Sequence, residues 1–395
     1  MTTELKCPKC GGVGVRGSTG RGQCKKCNYG GVLYMFDQTG MAARLKELQS
    51  QNRSLEQENK RLSAESSDVA ALRQMIGTIG SRIITPDSPA WLLPKPSGKG
   101  TVHGIPTLML SDLHWGEVVF PKQVNNINSY NVTIAKKRLA RVVEGSVRLL
   151  RETLSPGLFG GMVVILGGDM VDGAIHDELR ETGELTVIES VISVHDALVP
   201  HLYALADEFG RLHVPCVAGN HGRLDKKPRI KQRQKLNFDW MLYQFLARTI
   251  AESKYKDKIT FQIPDGDDAS YRIYNTGYLL THGDKFTGGN GICGPILPWM
   301  RGDMKTRKQY GAMGQSYDWM AMGHWHQLRY LDGIIVNGCL PGFNEYAMRM
   351  GFGCEPAQQA LWLTHPVRGL TFREAIWADE PLNKTSREPW VSVSK

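Results

Sequence analysis

The chain has 395 residues, enough for one large core with a small appendage, and a net charge of +9. Residues 1–100 hold 15 Lys/Arg against 8 Asp/Glu, a balance of +7 that leaves only +2 for residues 101–395, so polyanions are plausible partners of the N-terminal quarter. There is no run of 18 apolar residues and no apolar signal core, which argues against a membrane protein and leads us to expect a soluble, cytoplasmic one.

Residues 1–38 read as a zinc ribbon. Cys7, Cys10, Cys24 and Cys27 form two CxxC knuckles across a Gly-rich loop, and four thiolates at that spacing close a tetrahedral structural Zn2+ site. A redox CxxC would stand singly at a helix start beside a βαβ unit, which is not the setting here. Lys6, Lys9, Arg16, Arg21, Lys25 and Lys26 suggest a nucleic-acid partner for the ribbon; a solvated scaffold is the alternative. The other cysteines, Cys216, Cys293, Cys339 and Cys354, are scattered and fit small buried thiols better than disulfides.

Residues 41–76 are expected to form a coiled-coil helix. Leu45, Leu48, Leu55, Leu62 and Val69 fall on a heptad seam, with Asn52, Asn59 and Ser66 interleaved at a positions. A buried Asn pairs best with its twin, so the pattern favours a parallel homodimer; a single amphipathic helix packed on its own domain is the alternative. Residues 77–106, broken by Pro86, Pro89, Pro94 and Pro96, read as a linker in which Trp91-Leu92-Leu93 docks on a domain surface.

From residue 107 to 379 strands and helices alternate, and the tail 380–395 is expected to be loose. Apolar runs end in polar residues five times: TLMLSDLH at Asp112 and His114, VVILGGDMVD at Asp169 and Asp172, HVPCVAGNH at Asn220 and His221, YLLTHGD at His282, and WMAMGHWH at His324 and His326. Buried parallel strands look like such runs, and open α/β sheets place ligands at their carboxyl ends. Helices are expected over residues 130–154, 179–209 with a break near Pro200, and 237–253. Closing strands are expected over 334–345, 360–364 and 370–376. Gly222–Leu236 carries seven Lys/Arg against one Asp. Its place after Asn220-His221 makes Lys226, Lys227, Arg229, Lys231 and Arg233 candidates for contacts to a substrate backbone.

The order DxH, GDxxD, GNH, HGD, GHxH resembles the calcineurin-like metallophosphoesterase superfamily, over about residues 107–366. The resemblance implies a two-sheet α/β sandwich holding two divalent metal ions, with Asp169 as bridge. Asp112, His114 and His326 would complete the first metal and Asn220, His282 and His324 the second. Two cations about 4 Å apart acidify a bridging water and clamp an in-line transition state. Manganese, iron, zinc or nickel suit the N/O donors. His221 is implied as the group that stabilises the transition state or protonates the leaving oxygen, and Asp172 matches the carboxylate that orients it in some members, a turn-capping Asp before Gly173 being the alternative; Arg223 is a candidate for phosphate contact or for a surface salt bridge.

Ser/Thr protein phosphatases usually read GDYVDRG and GNHE. Here Gly173 and Gly222 replace the Arg and Glu. LSDLHWGE and GGDMVDG look closer to exonuclease-like and phage-encoded members. With a basic ribbon and a dimerising helix attached, the expectation is a metal-dependent nuclease acting on DNA. A small-molecule phosphodiesterase or phosphomonoesterase is the second reading, and a non-catalytic replication scaffold the third. A lid over residues 343–359 would be polar, through Asn344, Glu345 and Arg349.

Overall fold

The computed structural model describes residues 88–93, 104–153, 159–173, 175, 177–288 and 294–379, together with 46–58, 60 and short stretches between 5 and 35. The chain divides into two compact units, Met1–Leu72 and Arg73–Lys395. In the first unit β1 (Leu5–Lys6), β2 (Val13–Arg16), β3 (Gly22–Cys24), β4 (Gly30–Gly31) and β5 (Tyr34–Met35) form one antiparallel sheet in the order β4-β3-β2-β1-β5. Residues 46–58 are helical and expose Leu48 and Leu55 of the heptad seam. The expected zinc site falls on Cys7, Cys27 and the side chain of Cys24, which lie outside the described residues, as does the expected helix from 61 to 76.

The second unit contains two sheets. Its strands are β6 (Ile105–Leu110), β7 (Met162–Leu166), β8 (Leu212–Pro215), β9 (Ile259–Gln262), β10 (Ala269–Ile273), β11 (Thr276–Leu280), β12 (Trp319–Met322), β13 (Arg329–Leu331), β14 (Ile334–Val336), β15 (Gln358–His365) and β16 (Gly369–Trp377). One sheet runs β16-β15-β6-β7-β8-β9 with β6 to β9 parallel; the other runs β10-β11-β12-β14-β13 with β11, β12 and β14 parallel. The helices are α1 (Val132–Arg148), α2 (Asp177–Thr182), α3 (Val187–Phe209), α4 (Phe238–Ala251), α5 (Ile296–Ala312) and α6 (Glu345–Met350).

Strand side chains alternate between faces. Met109, Val163 and Ile165 meet Tyr271, Ile273, Tyr278, Leu280, Ala321 and Ile335 between the sheets. Leu108, Leu110, Val164 and Leu166 are equally buried on the other face of the first sheet, whose strands α1, α3 and α4 cover. Leu279, Met320, Met322, Ile334 and Val336 pack outward from the second sheet against Trp299 of α5, Phe286 and Tyr317. The result is the α/β two-sheet sandwich, with apolar runs buried on both sides.

Several boundaries differ from expectation. The helical stretch 179–209 breaks at 183–186, and Pro200 lies inside α3 without ending it. The cause is a capping box: the Thr186 side chain accepts from Glu189 N–H while the Glu189 side chain accepts from Thr186 N–H. Trp91 and Leu92 of the segment expected to dock sit in a 3-10 turn, Ala90–Leu92; the fully buried Leu92 accepts the Tyr274 N–H at 2.8 Å and joins the core, whereas Leu93 is exposed. The strand expected over 334–345 ends at Val336, and Asn344 caps α6 instead. Residues 380–395 lie outside the described residues.

Candidate metal centre

Asp112 and His114 follow β6, Asp169 follows β7, Asn220 and His221 follow β8, His282 follows β11, and His324 and His326 follow β12. Parallel pairing puts these carboxyl ends on one edge of each sheet, and the sandwich brings the two edges together. Donor atoms of Asp112, His114 and His326 lie within 4.8 Å of one another, as do those of Asp169, His282 and His324. In the first group His114 Nε2 is 3.1 Å from His326 Nε2, and His326 Nε2 is 3.5 Å from Asp112 Oδ1. In the second, His282 Nε2 is 3.0 Å from Asp169 Oδ2 and 3.2 Å from Asn220 Oδ1. Two imidazole nitrogens facing each other at hydrogen-bond distance, as in His114 and His326, are an arrangement a shared cation resolves.

The backbone is bent to reach this geometry. Asp112, His114, Asp169, His324 and His326 all have positive φ, between 43° and 68°. Such values are uncommon outside glycine and cluster where the chain must aim a side chain. Close approach is needed too: a Cβ on Gly219 would lie 2.0 Å from Asp169 Oδ1 and 2.3 Å from Asp169 N.

Asp112, Asp169, Asp172 and Asp239 are each 5% exposed or less. Burial pushes the Asp169 carboxyl up, but His282 and His221 outweigh it and hold the group well below the usual carboxylate range. Burial likewise pushes Asp112 up, and its hydrogen bond and charge interaction with His326 bring it down. Burial pulls His282 down, yet Asp169 above all lifts it to about 10. His324 goes the other way, to about 4, through burial and the neighbouring His282 charge. The buried carboxylates thus call for positive charge, and carboxylate, imidazole and carboxamide donors fit a pair of divalent cations. Asn220, His221, His324 and His326 are half-buried and form the open side.

Asp172 touches two histidines: its Oδ1 is 3.1 Å from His114 Nδ1 and 3.3 Å from His221 Nδ1, and its carbonyl oxygen is 3.2 Å from the same His221 nitrogen. Arg223, the candidate for phosphate contact, also has a role in the loop itself. Its guanidinium donates to the carbonyls of Asn220, Asp225 and Lys226, each at 2.9 Å, and so props the loop. Of the other basic candidates, Arg229 donates to Asp225 at 3.3 Å and Arg233 to Asp284 at 2.7 Å, whereas Lys226, Lys227 and Lys231 are exposed. Asn220, Arg223, Lys227, Arg229, Arg233 and Asp284 line one cleft.

In the expected lid Asn344 donates to Glu117 Oε1 at 2.8 Å and Glu345 accepts the Phe120 N–H at 2.7 Å, while Arg349 is exposed together with Tyr346, Met348, Met350 and Phe352. Sequence reasoning missed Glu117 and Asp239, both buried and both beside the candidate ligands. Asp239 follows an Asn that reads as a helix cap, so its sequence signal was that of an ordinary helix start.

No protein-family model matches the chain, and no curated protein matches it. Among the described residues no helix is long and apolar enough to cross a membrane. Solved structures similar to the chain include a dimetal phosphatase from Danio rerio, at TM-score 0.32 and 9% identity, covering 70% of this chain and 100% of that one. They also include Yfce, a phosphoesterase from E. coli, at TM-score 0.27 and 14% identity, covering 69% of this chain and 100% of that one. Vacuolar Protein Sorting 29 from Cryptosporidium parvum is similar at TM-score 0.27 and 11% identity, covering 66% of this chain and 86% of that one.

Proposed function

We propose that the chain is a calcineurin-like, dinuclear-metal-dependent phosphoesterase and, more narrowly, a DNA nuclease. The observation that carries the first part is the convergence of two His/Asp groups from the strand ends of two sheets, on backbone held at positive φ. Asp112, His114 and His326 would hold one ion, Asn220, His282 and His324 the other, with Asp169 shared. When bound, such a pair supplies Lewis acidity to phosphoryl oxygens and an acidified water as nucleophile. His221 Nδ1 is engaged by Asp172, so a proton for the leaving oxygen comes from Nε2. Asp172 keeps both His114 and His221 in orientation, and Arg223 holds the loop that carries Asn220 and His221.

DNA as substrate draws support from the exposed Lys226, Lys227 and Lys231 on the loop that follows Asn220 in the chain, of which Lys227 lines the cleft with Asn220, and from the basic N-terminal quarter. A zinc ribbon on Cys7, Cys10, Cys24 and Cys27 would add a nucleic-acid contact, and pairing of residues 41–76 a homodimer. A cytoplasmic setting, such as that of a phage-encoded enzyme, suits these parts. A protein phosphatase is disfavoured locally: a Cβ on Gly173 would lie 1.9 Å from the His221 carbonyl oxygen, leaving no room for an Arg there. The second reading, a small-molecule phosphodiesterase or phosphomonoesterase, is favoured by the internal use of Arg223, Arg229 and Arg233, which leaves fewer cations for a polyanion.

The test is Mn2+-dependent hydrolysis of end-labelled single- and double-stranded DNA and of bis-p-nitrophenyl phosphate, for wild type and Asp169→Asn. Cleavage of both kinds of substrate, lost in the variant, supports the nuclease. Turnover of the small ester with intact DNA moves the assignment to the second reading, and no turnover of either overturns the enzyme.

A further inference from the structure

Asp239 lies near the start of α4 and is fully buried. Its carboxylate collects main-chain donors from two separate loops of the candidate metal centre. Oδ2 accepts the Asp169 N–H and the Gly219 N–H, both at 2.9 Å, and Oδ1 accepts the Met170 N–H at 3.1 Å and the Val171 N–H at 3.4 Å. The cause is the turn at Gly168-Asp169, with φ of 90° and 49°. In a tight turn successive N–H groups can converge on one point, a concavity that binds anions. Here the anion is part of the chain. Without it, buried N–H groups of the residues around Asp169 would lack an acceptor.

The anchor is fixed in turn. Asn237 Oδ1 accepts the Asp239 N–H at 2.8 Å, Asn237 Nδ2 donates to the Gly219 carbonyl at 2.7 Å, and Phe238 N–H donates to the Gly222 carbonyl at 2.7 Å. One helix start therefore clips together the loop of Asp169 and the loop of Asn220 and His221.

Resting on the dinuclear reading above, we infer that Asp239 is a positioning residue that sets the Asp169 carboxylate and the Asn220 loop for metal binding. Replacing it with Asn keeps size and one acceptor but turns an NH2 group toward N–H donors. Metal affinity then falls while the chemistry of a loaded site survives. Loss of an outer hydrogen-bond partner of a metal ligand weakens binding by roughly 10–100-fold.

The experiment is a Mn2+ titration of the full chain, read by the electron paramagnetic resonance signal of free Mn2+, with hydrolysis of bis-p-nitrophenyl phosphate followed in parallel. For Asp239→Asn the expected result is a Kd for Mn2+ at least tenfold weaker, with kcat at saturating Mn2+ returning to within several-fold of wild type. A lowered Tm with a Kd within twofold of wild type means a structural role alone and overturns the assignment. Should that variant fail to fold, Asp239→Glu retains an acceptor while displacing it by one methylene; a tenfold weaker Kd supports the assignment and an unchanged one overturns it. A wild type that binds no Mn2+ overturns the dinuclear reading itself, an outcome distinct from both.

Discussion

A single oxygen of Asp172 serves two histidines, lying 3.1 Å from His114 Nδ1 and 3.3 Å from His221 Nδ1. Orientation of a candidate metal ligand and of the candidate acid thus depends on one carboxylate. For Asp172→Asn we expect kcat to fall by roughly 10–100-fold.

The same variant has a pH signature. Burial pulls the His221 imidazole down, but Asp169 and Asp172 more than reverse this and place it at about 9. An acid of that kind loses its proton as pH rises through its pKa, so activity has an alkaline limb. Removing the Asp172 charge lowers the pKa and moves that limb to lower pH. Profiles of kcat against pH with an unmoved alkaline limb would exclude His221 as the acid.

Gly219 admits no side chain, because its Cβ would overlap Asp169. Gly219→Ala is expected to cost about 1–3 kcal/mol in urea unfolding and to weaken Mn2+ binding together with it. Full Mn2+ affinity in a destabilised variant would separate the loop from the site.

The basic loop gives a prediction about salt. Replacing Lys226, Lys227 and Lys231 with Ala should lower the slope of log K against log [salt] for double-stranded DNA by up to about 3, at roughly 0.9 per phosphate contact. Arg223→Ala should leave that slope unchanged and reduce stability, since three carbonyls lose their donor. Equal slopes for wild type and the triple variant favour the small-substrate reading.

His213, away from the metal loops on β8, is fully buried, and burial drives its imidazole down to about 4 despite a hydrogen bond with Gln262. The unfolded chain takes up this proton near pH 6.5 and the folded chain only near 4. Stability is therefore complete above about 6.5 and falls as pH drops between the two values. The loss by pH 5 is about 2 kcal/mol. Urea midpoints at pH 7.5 and 5 for wild type and His213→Gln should show a fall in wild type larger than in the variant by that amount.

The convergence of the candidate donors is legible because each ends an apolar run, and a buried parallel strand leaves few other ways to place Asp or His at its carboxyl end. The break before α3 is legible as well, in Thr186-x-x-Glu189, a capping box that starts the helix, whereas Pro200 is accommodated within it. Asp239 was not readable: it stands 70 residues after Asp169, and only the fold brings the two together. The use of Arg223 was equally hidden, since its partners are main-chain carbonyls that any sequence possesses. Nor could composition show that Asn344 and Glu345 turn inward and leave Tyr346 and Phe352 outside.

His282 and His324 come from one sheet, whereas Asp112, Asp169 and Asn220 come from the other. An ion coordinated across that seam acts as a rivet between two half-sandwiches. It binds only where both halves are already docked, so ligand free energy becomes folding free energy, about 2.7 kcal/mol at a free concentration 100 times Kd. Chelation would then do more than abolish the proposed activity: it would loosen the junction of the sheets, and amide exchange in β11 and β12 would quicken before exchange in β7.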